Sequence, residues 1–90
     1  MYIKEQATQE KLRRRRKKRQ AAVDLLGGIC KDCGVEYPTC VYDFHHTDPS
    51  VKESIVSDMV HKDMKLERIL NEASKCELLC SNCHRLRHFL

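Results

Sequence analysis

Apolar residues in the first part of the chain are confined to one end of a long polar segment. Residues 4–26 contain no proline or glycine and are rich in helix-favouring residues, so they are predicted to form one helix. Gly27 and Gly28 follow, and glycine commonly ends helices. Only residues 21–26 are apolar enough to pack on a core, so the rest of this helix is predicted to form an arm.

The middle of the chain has short apolar segments with turns between them. Residues 35–44 are predicted to be extended because Tyr42 and Phe44 favour strands, and Pro38 is predicted to mark a turn in a hairpin. Residues 50–62 are mostly polar and lack a clear period. They are predicted to form a loop with at most one helical turn.

Helical spacing returns in residues 63–74, where apolar side chains recur at i, i+3, i+4 and i+7, namely at Leu66, Ile69, Leu70 and Ala73. Asp63 is expected to cap this helix. Residues 76–79 are predicted to form a short strand that leads into a terminal helix. The 90 residues thus predict one small α+β domain over residues 27–90, preceded by a helical arm over residues 1–26.

Positive charge is concentrated in the predicted arm. Residues 1–26 carry nine basic and three acidic side chains, a net charge of +6, whereas residues 27–90 carry eight basic and ten acidic ones, a net charge of −2. A basic arm on a nearly neutral body suits a polyanion such as DNA or RNA. Seven consecutive cations are predicted to contact nucleic-acid phosphates: Arg13, Arg14, Arg15, Arg16, Lys17, Lys18 and Arg19. The alternative is a solvated, disordered tail that only aids solubility.

The six cysteines of this short chain favour metal binding over disulfides. Residues 1–18 contain no apolar run of the secretory kind, and no stretch has the apolar length of a membrane span, so a reducing cytoplasm is predicted. Two Cys-x-x-Cys pairs supply a tetrahedral set for a structural Zn²⁺, namely Cys30, Cys33, Cys80 and Cys83. The unpaired Cys40 and Cys76 are predicted to be small buried hydrophobic residues.

Four histidines are predicted to meet once zinc joins the two cysteine pairs. His84 and His88 lie one turn apart on the predicted terminal helix, and His45 and His46 end the predicted strand. Adjacent strand residues point to opposite faces, so one of the latter two can bind a metal while the other faces a substrate. In phosphodiester hydrolysis imidazole suits both roles, as a base for water and as a cation ligand. His61 is isolated and is predicted to be structural or solvated.

Two parts of the chain together form a motif that is more specific than either part alone. The first is Asp43-Phe44-His45-His46-Thr47-Asp48-Pro49, followed by Lys52. The second is Leu79-Cys80-x-Asn82-Cys83-His84-x-x-x-His88, with Cys30-x-x-Cys33-Gly34 upstream. In combination they resemble the HNH endonucleases with a ββα-metal core. The chain is most similar to the small zinc-stabilised members common in bacteriophages, and the resemblance covers residues 29–90.

The resemblance implies a zinc-stabilised ββα-metal, treble-clef-like HNH fold and metal-dependent hydrolysis of DNA phosphodiester bonds. It implies that His46 is the general base. It further implies that His45 and His84 bind the catalytic divalent ion, which is Mg²⁺, Mn²⁺ or a similar cation. His88, one turn later, is implied to contact the metal or the phosphate.

One position departs from the family pattern. Many members have an asparagine five residues before the first cysteine of the second pair, and it holds the histidine loop by hydrogen bonds. This chain has Lys75 there. Asn82, between the two zinc cysteines, either takes the place of that catalytic-site asparagine or the brace is missing. The departure bears on metal affinity and rate more than on fold.

The favoured hypothesis is a metal-dependent DNA endonuclease in which arm residues 13–19 hold backbone phosphates. Weak sequence preference is expected, with nicking or double-strand cutting, because so short a chain has little surface for reading bases. The resemblance is consistent with phage DNA processing in a bacterial host cytoplasm, alongside packaging or other phage proteins. Two alternatives remain. One is a non-catalytic zinc module that binds nucleic acid, which Lys75 favours, and the other is an interaction module that docks on a protein through its terminal helix or arm.

Overall fold

A long N-terminal helix lies against a small α+β body built from three shorter helices and a two-stranded sheet. The computed structural model describes residues 2–89, with side chains from residue 8 onward, so the Met1 and Leu90 ends of the predicted arm and domain lie outside the described residues. The helices and strands follow in the order α1 (Tyr2–Leu25), β1 (Tyr42–His46), α2 (Val56–His61), α3 (Leu66–Ala73), β2 (Cys76–Cys80) and α4 (Ser81–Phe89). Short 3₁₀ turns occupy Thr39–Val41 and Pro49–Val51.

The sheet joins two segments that are far apart in sequence. β1 and β2 are antiparallel, and Tyr42 lies opposite Cys80 at one end while His46 lies opposite Cys76 at the other. The predicted hairpin with its turn at Pro38 is therefore wrong. Pro38 instead begins a 3₁₀ turn, in which its carbonyl accepts a hydrogen bond from the Val41 amide at 2.9 Å. The strand that pairs with β1 is β2, and not the segment before it.

Two clusters of buried side chains form the core. The helix-side cluster lies between α1, α2 and α3 and consists of Ala22, Val56, Met59, Val60, Ile69, Ala73 and Cys76. The sheet-side cluster lies where the sheet meets the end of α1 and consists of Val23, Cys30, Tyr42, Leu78, Leu79 and Cys80. Leu26 and Phe44 pack against both clusters. The prediction that residues 21–26 dock on the core is confirmed, because Ala22 and Val23 are buried.

Helix α1 ends where the sequence predicts, at two consecutive glycines. Gly27 and Gly28 adopt φ angles of 95° and 72°, which residues with a Cβ rarely adopt. The Gly28 amide donates to the Val23 carbonyl at 3.0 Å and so satisfies one of the last carbonyls of the helix. The chain then turns directly towards the first cysteine pair.

The segment predicted as a loop contains a helix. α2 covers Val56–His61, because Val56, Met59 and Val60 have i, i+3, i+4 spacing and all three are buried. The polar residues on either side of this short apolar stripe obscure its period in the sequence. With these three side chains, α2 completes the helix-side cluster against α1 and α3.

Helix α3 begins later than predicted, and Asp63 does not cap it. The helix starts at Leu66 after Lys65, and Asp63 has a φ of 54° in the turn before it. Its carboxylate instead accepts hydrogen bonds from Arg14 Nε at 2.9 Å and from Lys18 Nζ at 2.8 Å. These two hydrogen bonds hold α1 against the turn that joins α2 and α3 and lower the pKa of Asp63.

Across the described residues, none of the helices combines the length and apolar character needed to cross a lipid bilayer.

We predict that Tyr42→Phe lowers the free energy of unfolding by about 1–3 kcal/mol. The fully buried hydroxyl donates to the Gly28 carbonyl at 2.7 Å and accepts from the Tyr37 amide at 2.8 Å, and its removal leaves both groups without that partner. Urea denaturation in the presence of zinc measures the change. The exposed substitution Cys40→Ser is the control and should change stability by less than about 0.5 kcal/mol. Equal stabilities of the two variants would contradict this role of Tyr42.

Candidate metal centres and nucleic-acid surface

Four cysteines from two distant segments meet at one point. Their sulfur atoms all lie within 4.8 Å of one another, and those of Cys33 and Cys80 are 4.0 Å apart. Sulfurs at the corners of a tetrahedron, each 2.3 Å from a central zinc, are separated by about 3.8 Å. The cluster formed by Cys30, Cys33, Cys80 and Cys83 could therefore hold a metal such as zinc, and the prediction that these four residues come together is confirmed.

The backbone around this cysteine cluster is held by a tight turn and by the end of β2. The Gly34 amide donates to the Cys30 carbonyl at 2.9 Å, and Gly34 has a φ of 72°. The Lys31 amide donates to the Leu78 carbonyl at 2.8 Å and fastens the turn to β2. The Cys83 amide donates to the Cys80 sulfur at 3.4 Å.

The pKa values of Cys30 and Cys83 are shifted in opposite directions. Burial raises the pKa of Cys30, but backbone hydrogen bonds, the strongest from Cys33 and Cys80, outweigh it and lower that pKa to about 6. Hydrogen bonding with Cys80, followed by burial, raises the pKa of Cys83 to about 12. One negative charge is therefore stabilised within the cluster and a further one is opposed, a pattern that a divalent cation between the sulfurs would relieve.

The two unpaired cysteines differ from each other. Cys76 is buried in the helix-side cluster, as predicted, and burial raises its pKa to about 11. Cys40 is exposed in the 3₁₀ turn before β1, so the prediction that it is buried is wrong. The turn directs Tyr42, two residues later, into the core instead.

Arg87 fastens α4 to the first cysteine pair. Its guanidinium donates to both carboxylate oxygens of Asp32 at 2.6 and 2.7 Å and to Glu77 at 2.6 Å. Hydrogen bonding to Asp32 and Glu77 raises the pKa of Arg87, and the same contacts lower those of the two carboxyls. This three-residue contact restrains the rotation of α4 and so helps to set the direction of His84, which precedes Arg87 by three residues on the helix.

Three of the four histidines that the sequence predicts to meet form a second cluster. The ligand nitrogens of His45, His84 and His88 lie within 4.8 Å of one another, and the Nε2 atoms of the last two are 3.0 Å apart. Two nitrogens bound at right angles to a metal at 2.1 Å would be separated by about 3.0 Å. The three imidazoles are thus spaced as ligands of one divalent cation. A strand contributes one of them and a helix contributes two.

The surroundings of two of these rings suit metal binding. His84 Nδ1 lies 3.1 Å from the Asp43 carboxylate, and a proton held between them leaves Nε2 free for a cation. Burial lowers the pKa of His45, and the neighbouring His84 and Arg87 lower it further, so its ring favours the neutral form that binds metals. Asp43 lies two residues before His45 on the same face of β1, where alternation along the strand could have identified it.

His46 points away from this histidine cluster, as expected for a neighbouring strand residue. Its Nε2 lies 2.8 Å from a carboxylate oxygen of Glu72 on α3, and its side chain is 8% exposed. All four histidines nevertheless line one cleft of about 360 Å³, together with Phe44, Pro49, Lys52 and Ile55. Among the described side chains, none forms an ion pair with Lys52 in that cleft.

The remaining predicted polar residues lie elsewhere. Asn82 is exposed in the first turn of α4, does not line the cleft, and its side chain forms no hydrogen bond within the described part of the chain. Lys75 contacts the Val51 carbonyl at 3.1 Å and Glu72 at 3.0 Å. His61 is exposed at the end of α2, which agrees with the solvated role predicted for it.

The structure divides the seven consecutive cations of α1 into two groups. Lys18 and Arg14 bind Asp63, and Lys18 also donates to the Met64 carbonyl at 2.7 Å. Arg19 donates to the Tyr42 carbonyl at 2.7 Å and to Ser57 at 3.2 Å. These three cations hold the helix on the body.

Three of the other cations of α1 face outward. Arg13, Arg16 and Lys17 are exposed, and Arg14 keeps 52% of its side-chain surface exposed despite its ion pair. Arg15 is half-buried, and its Nε has no hydrogen-bond partner among the described residues. The exposed members are the ones available to an external polyanion.

Comparison with protein-family models, curated proteins and solved structures found no match for this chain.

We predict that the purified protein binds one zinc per chain at the cysteine cluster and unfolds when a chelator removes it. A structural zinc of this type contributes on the order of 10 kcal/mol or more to folding. Metal analysis and a thermal melt followed by circular dichroism measure both effects. Cys33→Ser should lose the metal on dialysis, whereas Cys40→Ser, also exposed, should keep it. Full zinc content in the Cys33 variant would contradict the assignment of the ligands.

Proposed function

We propose that this protein is a metal-dependent endonuclease of the HNH type, with a ββα-metal core, that hydrolyses DNA phosphodiester bonds. The observation that supports it is the convergence of His45, His84 and His88 at one side of a cleft that His46 also lines. The order of β1, β2 and α4, with the histidines at the end of the strand and on the helix, agrees with the family pattern that the motif resembles.

The four histidines divide the chemistry between them. His45, His84 and His88 would hold a divalent cation, which supplies Lewis-acid stabilisation of charge on the scissile phosphate and its leaving oxygen. His46 accepts a proton from the attacking water. Lys52, in the same cleft, contributes a positive charge for a neighbouring phosphate.

The ligand set bears on the choice of metal. Three neutral imidazoles suit Mn²⁺, Co²⁺, Ni²⁺ or Zn²⁺ better than Mg²⁺, which prefers carboxylate and water oxygens. Asp43 reaches the cluster only through His84 Nδ1 in the described contacts. We therefore propose that transition-metal ions support cleavage more strongly than Mg²⁺ does.

The proposed substrate follows from charge. The exposed cations of α1 lie on a helix that is fastened to the body by Arg14, Lys18 and Arg19. A row of exposed cations on a helix attracts the phosphate backbone with little regard for sequence. This supports DNA as the polyanion and a weak preference among target sequences.

We expect supercoiled plasmid to be nicked by the zinc-loaded protein with Mn²⁺, Co²⁺ or Ni²⁺, and more slowly with Mg²⁺. His46→Ala should lower the rate by about 10²–10⁴-fold because the water loses its base. His84→Ala should abolish stimulation by added metal, and the exposed His61→Ala should cut like the wild type. Plasmid that stays bound but uncut with every ion would contradict the nuclease and leave a nucleic-acid-binding zinc module.

A triple substitution of Arg13, Arg16 and Lys17 by glutamine should weaken DNA binding and reduce its dependence on salt. Loss of three phosphate contacts reduces the slope of log affinity against log salt by about 2–3. Fluorescence anisotropy with a labelled duplex at several salt concentrations measures that slope. The matched control replaces three other exposed cations, Lys62, Lys65 and Arg68, by glutamine, with the same change in charge. Equal slopes for the two triple variants would remove α1 from the binding surface.

A further inference from the structure

Glu72 is a carboxylate in the core that the roles assigned so far leave unexplained. It is 3% exposed on α3, beside the helix-side cluster. One of its oxygens lies 2.8 Å from His46 Nε2 and accepts the Glu53 amide at 3.2 Å. The other oxygen accepts Lys75 Nζ at 3.0 Å. Three nitrogen atoms from three separate segments thus converge on one side chain.

The burial of this charge is unfavourable for stability on its own. Removing a carboxylate from water costs several kcal/mol, and replacing a buried ion pair by apolar residues of similar volume is often neutral or stabilising. Ile69 and Ala73, the inward-facing neighbours of Glu72 on α3, are apolar and fully buried. An apolar residue at position 72 would continue that surface, so stability alone does not account for Glu72.

The carboxylate is kept ionised by its contacts. Burial raises the pKa of Glu72, but hydrogen bonds from His46, Lys75 and the Glu53 amide outweigh it and lower that pKa to about 2. Glu72 is therefore a permanent acceptor and a fixed negative charge beside the His46 ring. It does not itself take up a proton near neutral pH.

Lys75 extends the same network to the segment that follows His46. Its ammonium donates to the Val51 carbonyl at 3.1 Å, and its own carbonyl accepts the Thr47 amide at 3.2 Å. Both ends of the segment 47–53 are therefore held at the C-terminal part of α3, Thr47 by the Lys75 carbonyl and Glu53 by the Glu72 carboxylate. Lys75 occupies the position where an asparagine was expected to brace this loop, and together with Glu72 it makes the bracing contacts.

We propose that Glu72 is a positioning residue for His46, which fixes the ring and its tautomer so that Nδ1 is the basic nitrogen. This deepens the proposed nuclease and rests on it for the catalytic consequence. A carboxylate that accepts the Nε2 proton leaves the Nδ1 lone pair free, and the fixed charge stabilises the imidazolium that forms. The proton of the attacking water moves to Nδ1 as the new P–O bond forms. The P–O bond to the leaving oxygen breaks, and that oxygen takes a proton from solvent.

The first test does not depend on activity. Nitrogen NMR of zinc-loaded protein without any other divalent ion, at a pH where His46 is neutral, should place the ring proton on Nε2. Glu72→Met, which has similar length and no acceptor oxygen, should convert His46 to a mixture of tautomers. A proton on Nδ1 in the wild type would overturn the proposal, and this result is independent of whether any variant folds.

The second test separates positioning from a structural role. Glu72→Gln keeps the shape and one acceptor oxygen but removes the charge, and it should lower kcat for plasmid nicking by about 10- to 100-fold with KM unchanged. The matched control is Glu67→Gln, an exposed carboxylate on the same helix, which should leave kcat unchanged. Zinc content and melting temperature check that each variant is folded. An unchanged kcat in the Glu72 variant would overturn the catalytic consequence.

Failure of the two proposals can be told apart. If the wild type fails to cut plasmid with every divalent ion, the nuclease proposal is refuted, and the catalytic role of Glu72 with it. The tautomer measurement would still decide whether Glu72 holds the His46 ring. A wild type that cuts while Glu72→Gln retains its kcat would refute only the role of Glu72.

Discussion

The fold depends on the junction of two cysteine pairs that lie about fifty residues apart in the chain. The sulfurs of Cys30 and Cys33 come from a turn with no regular structure, and those of Cys80 and Cys83 come from the passage of β2 into α4. Closing so long a loop is entropically unfavourable, and a core of two small clusters offers limited compensation. A metal at this junction would stabilise the closed chain directly. It would also fix the start of the helix that carries His84 and His88.

A second layer of organisation is electrostatic. Arg87 aligns α4 through Asp32 and Glu77, Asp63 aligns α1 through Arg14 and Lys18, and Glu72 aligns the loop after β1, each by side chains of opposite charge. Surface ion pairs contribute little to stability one at a time, and the pair at Glu72 is buried, where removing the charges from water is costly. Their effect here is geometric, because each restricts how one element rotates against its neighbour.

The sequence predicted the parts of the structure that are governed by ligand spacing and strong periodicity. The cysteine cluster, the meeting of three histidines, the long first helix and the terminal helix all follow from residues whose chemistry or spacing leaves few alternatives. The helix at Val56–His61 was missed because its buried stripe has only three residues. The hairpin at Pro38 was wrong because strand propensity identifies a strand but not its partner, which lies beyond two helices.

Charged residues inside or across the fold were the hardest to predict. An aspartate before a helix can cap it or bind a cation elsewhere, and Asp63 does the second because α1 brings two cations to it. Glu72 looks like a solvent-facing residue by type, although it follows Ile69 by three positions and so shares its buried face. A comparison of the helix face of each charged residue with the face of the apolar residues would have identified Glu72 as buried.

The attachment of α1 to the body determines where its exposed cations lie. The helix has 24 residues and is about 36 Å long. Ala22 and Val23 near its C-terminal end are buried, whereas the cations at Arg13, Arg16 and Lys17 are exposed. Arg14 and Lys18 fasten the middle of the helix to Asp63, and this attachment places the exposed cations relative to the histidine cleft. In the proposed nuclease, a duplex bound by these cations would present one stretch of its backbone to the cleft, which would set the distance between the bound phosphates and the break.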